Sequence, residues 1–234
     1  MGRNIIDRSV VESEASLANI VPVRRERLHT IEEGDRLYLV NIYRAQHMLA
    51  TISASPDMSV LSLMDGAVMG SGVLFGLNAS NSVVTERTFW GLPEVSIAGM
   101  PDVGTLYHVN RMEDNLGKML FLTGLRLRGS CLVHAGLASH FCRSEKMAEL
   151  RREILQAGGE GGRRETLAGY HEESLAHIKD SQERDYVEEL REHCRTVYQS
   201  DDVKEITENL RQLDNDWSRQ QLTALSRGCP LSFR

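Results

Sequence analysis

Two carboxylates sit eight positions apart in this chain, each directly behind a proline: Pro93-Glu94 and Pro101-Asp102. A proline fixes its own φ and has no N–H to donate, so the backbone leading into each acid is restrained. Upstream, Gly70-Ser71-Gly72 closes one short apolar run and opens another. A glycine turn that leads from a strand into a helix presents free backbone N–H groups at the positive end of a helix dipole. Such a place can hold the oxyanion that forms when a carbonyl is attacked. Two carboxylates beside it suit general acid–base or nucleophilic work on that carbonyl. Each feature also has a structural explanation. Glycines at a helix start serve turn geometry or close packing. Glu94 can cap a turn, and Asp102 can cap a helix starting at Val103.

Other chemistries find less support. Cys131, Cys142, Cys194 and Cys229 are widely spaced with no CxxC pair, so neither a zinc nor a redox site is expected. Reduced, structural thiols of an intracellular protein are the simplest reading. The eight histidines form no HxH or HExxH pattern, and no metal site or resident cofactor is expected. Ser71 lacks a G-x-S-x-G context, which argues against a serine hydrolase. The net charge of −6 gives no electrostatic reason for nucleic-acid binding. No apolar run of membrane-spanning length occurs. Trp90 and Trp217 read as packing residues.

The elements that must position the acids follow from patterning. Residues 1–34 have weak periodicity and read as an irregular arm. From Asp35 the apolar residues Leu37, Val40, Ile42, Tyr43, Met48, Leu49 and Ile52 predict a helix, ended by Ser53 to Asp57. Met58 to Met64 is a buried-strand candidate, Asp65-Gly66 a turn, Val73 to Leu77 a short helix and Asn81 to Thr85 another strand. Leu116 to Leu125 is apolar on more than one side. Ser130 to Ala135 predicts a short helix and Ala138 to Cys142 a strand, with Ser144 as the cap of a further helix. Gly158 to Gly162 (GGEGG) reads as a flexible break. Beyond it, Thr166–Ile178, Ser181–Tyr198 and Val203–Arg227 predict amphipathic helices, the last group capped by Asp201 or Asp202. The segment from Ser144 on holds 14 Lys/Arg against 19 Asp/Glu, most of the acid excess. The organisation is an arm (1–34), a core (35–157) and a helical C-terminal subdomain (163–234). No internal repeat is visible.

Taken together, D-G-x-x-M-G-x-G-V, V-x-T-E-R-T, x-P-E-x-x-I, P-D-V-G, L-T-G-x-R-L and A-G-L-A-S-H resemble the 3-hydroxyisobutyryl-CoA hydrolase branch of the crotonase, or enoyl-CoA hydratase/isomerase, superfamily. The resemblance runs from about Tyr43 to Arg234 and includes Tyr170 to Ser174 (YHEES) and Glu205 to Leu210 (EITENL). It implies an α/β fold of repeated ββα units in a spiral, with helices on the C-terminal side. It implies an acyl-CoA thioester as substrate, coenzyme A entering as part of that substrate, and a mitochondrial location in valine breakdown. The thioester oxygen would be held at Gly70, Ser71 and Gly72. Glu94 would activate water or attack the carbonyl, and Asp102 would position the substrate hydroxyl or assist proton transfer.

The sequence departs from that pattern in four places. Ser71 stands where the family has a glycine; its N–H survives, but a side chain is added. Gln46, with Ala45 beside it, stands where the family has acids on the preceding helix. Ala98 replaces a glycine ahead of the aspartate segment, although Gly99 follows. The F-C-A-G-G-D-like strand segment expected to supply a second oxyanion N–H is not found, and the chain stops where the family continues. The expectation is therefore an incomplete ββα spiral, with a protein partner covering the exposed faces. Two functions follow: a thioester hydrolase, or a catalytically impaired crotonase-fold paralogue, a pseudoenzyme serving as a structural subunit of a larger assembly such as the small subunit of the mitochondrial ribosome, in contact with its RNA and proteins.

Overall fold

The computed structural model describes residues 11–12, 33–97, 99–178 and 180–228. It begins with a two-residue strand, β1 (Val11–Glu12), inside the segment expected to be an irregular arm. The 21-residue helix α1 (Glu33–Ser53) follows. Next come β2 (Leu61–Met64) and β3 (Ala67–Met69), a single helical turn at Gly70–Gly72, and α2 (Val73–Leu77). The pattern then recurs as β4 (Asn81–Val84), β5 (Phe89–Gly91), a turn at Pro93–Ile97 and α3 (Thr105–Val109).

Each of these ββα units sends its first strand to one sheet and its second to another. One sheet runs β1-β2-β4-β7, all parallel, with β7 at His140–Phe141. The other runs β3-β5-β6, with β6 at Leu127–Arg128. Parallel strands joined through helices are expected to be buried, and β4 is, with Ser82, Val83 and Val84 all inside. The turns within the units stack. Thr85 donates from Oγ1 to Asp65 at 2.7 Å, Thr88 donates to the Met64 carbonyl, and the Phe89 N–H donates to the Gly66 carbonyl at 3.0 Å. The D-G and T-E-R-T segments are thus the corner of the spiral.

The expected strand at Met58–Met64 is shorter, starting at Leu61, and β3 and β5 had no counterpart in the sequence reading. Three-residue strands bounded by glycines show too few alternations to register as a period.

Helices fill the rest: α4 (Leu116–Thr123), α5 (Cys131–His134), α6 (Met147–Gln156), α7 (Gly159–Ala176), α8 (Asp180–Val197), α9 (Val203–Leu213) and α10 (Asp216–Arg227). One apolar cluster joins both ends of the chain. Met64, Val84, Trp90, Leu116, Leu120 and Phe141 share it with Val187, Leu190, Tyr198, Ile206 and Leu210 of the C-terminal helices. Gly117 makes the α3–α4 crossing possible, because a Cβ there would stand 1.9 Å from the Val109 carbonyl oxygen.

Two local expectations change. Of the break expected over Gly158 to Gly162, only Gly158 lies outside the helices, and Gly159 begins α7. Burial of Leu167, Tyr170 and Ser174 on its inner side outweighs the poor helix propensity of glycine. Ser144 makes no side-chain cap; its N–H and hydroxyl both go to the Glu86 carboxylate across the structure. Asp202 does cap α9, accepting from the Lys204 N–H at 2.8 Å.

On α1, Ala50 and Ser53 are buried and Gln46 half-buried, while Val40, Tyr43, Met48, Leu49 and Ile52 lie in solvent. The apolar stripe expected on this helix is therefore largely uncovered by the described residues. Among the described residues no helix is long and apolar enough to cross a membrane, and no three His, Cys, Asp or Glu side chains gather as a metal set.

Candidate active site

Gly70 sits at φ +58°, in the left-handed region, between an extended Met69 and the helical Gly72. That reversal turns β3 into the single turn before α2. Gly70 and Ser71 lead this turn, and the leading N–H groups of a helical segment have no partner within it. A Cβ at Gly70 would lie 3.2 Å from Oε1 of Glu94, tighter than ordinary contact. Glycine is thus required here twice, by its backbone angle and by the carboxylate packed against it.

Glu94 belongs to the single-turn helix Pro93–Ile97 that follows β5. The Gly99 N–H donates to its carbonyl at 2.9 Å, which closes the loop around it. Its side chain is half-buried, and Oε2 is buried with no hydrogen-bond partner. Burial pushes the Glu94 carboxyl above the usual range; a hydrogen bond from its own backbone works against this, and the nearby Asp102 charge adds to it. A carboxyl group raised by burial next to a second carboxylate is the arrangement expected of a general base or acid.

Asp102 reaches the same turn. The Ser71 hydroxyl donates to its Oδ1 at 3.2 Å. The backbone on its C-terminal side is strained: Val103 has φ +48° and Gly104 φ +88°. A β-branched residue in the left-handed region is a true outlier and costs about 1–3 kcal/mol. It is held there by burial, since Val103 packs against Leu74 and Ala50. The Asp102 carbonyl accepts the Thr105 N–H at 2.9 Å. The carboxylate does not cap α3, which starts at Thr105 behind Gly104 with no side-chain cap bond. The capping explanation for Asp102 therefore does not hold, and its side chain is committed to the glycine turn.

The sequence reading named Gly70, Ser71, Gly72, Glu94 and Asp102, and the chain brings Gly70 to Glu94 and Ser71 to Asp102. Gln46 stands on α1, four residues before the buried Ala50, with its Oε1 buried and unpartnered. Ala98 lies outside the described residues. The reading missed Val103, whose role shows in its backbone angle and not in its residue type. It also missed the His108–Asn78 pair. Asn78 donates through its amide to the Ala50 carbonyl and Ser53 hydroxyl, both at 3.1 Å, which leaves its oxygen for His108 Nε2–H at 2.7 Å. Burial, helped by the Arg111 charge, lowers the His108 pKa and favours the neutral ring. These two residues line a cavity of about 640 Å³ beside Val103 and Gly104, with His47, Ala50, Thr51 and Tyr107 on its other walls. Pockets of this size take small-molecule or acyl-sized ligands.

Comparison with known proteins agrees with this architecture. The Enoyl-CoA hydratase/isomerase family model matches residues 19–234. The mitochondrial 3-hydroxyisobutyryl-CoA hydrolase of Rattus norvegicus is 32% identical over 195 residues, 83% of this chain and 50% of that protein. The Homo sapiens protein of the same name is 31% identical over 195 residues, 82% of this chain and 50% of its own length. This chain thus spans about half the length of the curated relatives it matches. Among solved structures, a carnitinyl-CoA dehydratase from Mycobacterium thermoresistibile superposes with a TM-score of 0.71 at 25% identity, covering 90% of this chain and 58% of that one. An enoyl-CoA hydratase from Rhodobacter sphaeroides superposes at 0.67 and 22% identity, covering 95% and 58%, which speaks for the fold alone. The ribosomal reading gains no support from these relatives. With its two-sheet ββα spiral, its glycine turn and the acids gathered on it, the chain belongs to the enoyl-CoA hydratase/isomerase, or crotonase, family.

Proposed function

We propose that this chain carries the reacting half of a CoA-thioester site, and that its reaction is hydrolysis. The observation behind the proposal is Glu94: a half-buried carboxylate with raised pKa, one oxygen against the Gly70 turn and the other buried without a partner. The N–H groups of Gly70 to Gly72 hold the thioester oxygen and stabilise the negative charge that develops there. Glu94 either takes the proton from an attacking water or attacks the carbonyl carbon itself. In the first route the water oxygen bonds to the carbonyl carbon, the C–S bond breaks, and the proton taken by Glu94 passes to the CoA sulfur. In the second Glu94 and the acyl group form an anhydride as CoA leaves as its thiolate, and a water then opens the anhydride, releasing the free acid and restoring the carboxylate. Asp102 holds the acyl group or assists that proton transfer. Coenzyme A takes part only as a portion of the substrate. The printed name of the curated relatives makes 3-hydroxyisobutyryl-CoA the first thioester to try and mitochondria the expected location.

The test is thiol release from 3-hydroxyisobutyryl-CoA and from isobutyryl-CoA by the purified chain, run beside loss of the conjugated absorbance of a 2-enoyl-CoA. Thiol release without hydration supports the proposal. Hydration without thiol release assigns the site to the other chemistry in the family's name. The exposed apolar residues of α1 favour one addition: a protein surface, or further chain, that covers them in the working enzyme.

A further inference from the structure

The Ser71–Asp102 hydrogen bond carries a consequence for the acyl group, resting on the thioester reading of this site. Within the Gly70–Gly72 turn, a side chain at position 70 is excluded by Glu94 and by the positive φ, whereas position 71 carries one. That side chain spends its hydroxyl on Oδ1 of Asp102 at 3.2 Å. Asp102 has little freedom to offer a second geometry. Its carbonyl is tied to the Thr105 N–H, and Val103 behind it is buried against Leu74 and Ala50 at φ +48°. On the thioester reading, a carbonyl held by the turn and facing Glu94 leaves the Ser71–Asp102 side of the same turn for the first acyl carbons. A hydroxyl on those carbons competes for Oδ1 of Asp102 with the hydroxyl that Ser71 already places there.

We propose that Ser71 is a specificity-determining residue. It stands in for an acyl hydroxyl at Asp102 and directs the site to CoA thioesters whose acyl chain bears no hydroxyl. A buried hydroxyl left without its acceptor is disfavoured, while an alkyl group in the same place loses nothing. The bond also makes Ser71 a positioning residue for Asp102, and losing the hydroxyl frees Oδ1 for the substrate.

The test separates binding from turnover. In a Glu94→Gln background, which leaves the thioester uncleaved, dissociation constants for isobutyryl-CoA and 3-hydroxyisobutyryl-CoA are measured by titration calorimetry. The same pair is measured with Ser71→Ala and with Ser71→Gly added. The chain with Ser71 prefers isobutyryl-CoA. Both substitutions shift the ratio toward the hydroxylated thioester by about tenfold, Ser71→Ala isolating the hydroxyl and Ser71→Gly removing the side chain as well. A ratio that moves by less than twofold in both variants overturns the inference, as does a preference for the hydroxylated thioester with Ser71 present or failure of both to bind. Thiol release by the chain with Glu94 intact reads the hydrolase proposal separately: binding that shifts as stated without any thiol release sinks hydrolysis and leaves the Ser71 assignment standing.

Discussion

Glu94 places one carboxylate oxygen 3.2 Å from the point where a side chain at Gly70 would begin. The turn that is to hold an oxyanion and the acid that is to act on the same carbonyl are therefore in direct contact, set by one residue without a Cβ. Gly70→Ala combines a left-handed backbone angle with that contact. We expect a loss of about 1–2 kcal/mol in urea unfolding and a fall in thioester turnover of at least tenfold. Unchanged unfolding with unchanged turnover contradicts the tight turn–carboxylate packing.

On the proposed hydrolysis, the acid limb of kcat/KM against pH is expected to report Glu94 and to lie above that of an ordinary carboxylate, because burial and then the Asp102 charge raise it. Removing that charge in Asp102→Asn eases ionisation of Glu94, so the limb moves to lower pH. A limb that stays in place or moves up shows that Asp102 does not act on Glu94. The same shift has a stability sign. A raised carboxyl group stabilises the fold below its ordinary pKa and loses that contribution as pH rises through the raised value. Thermal melts of Glu94→Gln should therefore exceed those of the unaltered chain at neutral pH, with the gap closing in acid.

His134 and Asp180 pin α5 to α8 through a 2.7 Å contact, and Asp180 also receives Arg184 at 3.2 Å. Burial works to raise the Asp180 pKa, but the hydrogen bonds from His134 and Arg184 win, and it ends below its usual value. Its contribution is present above the ordinary carboxylate range and is lost as pH falls through the lowered value. Asp180→Ala leaves a half-buried His134 without its partner and should cost about 1–3 kcal/mol at pH 7. Urea titrations at pH 7 and pH 3 check this, and an equal cost at both is the contrary result.

Gly117→Ala drives a methyl group into the Val109 carbonyl. The helices α3 and α4 must separate, at about 3 kcal/mol. Because α3 follows directly on the Asp102 loop, turnover should fall as well. Circular-dichroism melts of the variant give the answer, and a melting temperature within a degree of the unaltered chain would mean that the crossing is not close.

The acids and the glycine turn were legible because each carries its signal in residue type and spacing. Pro93-Glu94, Pro101-Asp102 and Gly70-Ser71-Gly72 can be read letter by letter. The spiral was legible only through resemblance. Its repeat is one of hydrogen-bonding geometry, with Leu61 to Met64 pairing in register with Asn81 to Val84, and of the paired segments LSLM and NSVV only Ser62 and Ser82 are identical. Strands of three residues, such as Phe89–Gly91, are fixed by pairing with neighbours far along the chain. The helical start of α7 through GGEGG shows tertiary packing overriding propensity. The strain at Val103 had no signal at all, since a β-branched residue is ill suited to its backbone angle.

The central claim is that Glu94 is the reacting carboxylate. It is tested most directly by thiol release and thermal melting on one preparation each of the unaltered chain and Glu94→Gln. The site described here predicts that Glu94→Gln loses turnover by about a thousandfold while melting at or above the temperature of the unaltered chain. Turnover within tenfold of the unaltered chain, in a variant that is folded, would contradict it.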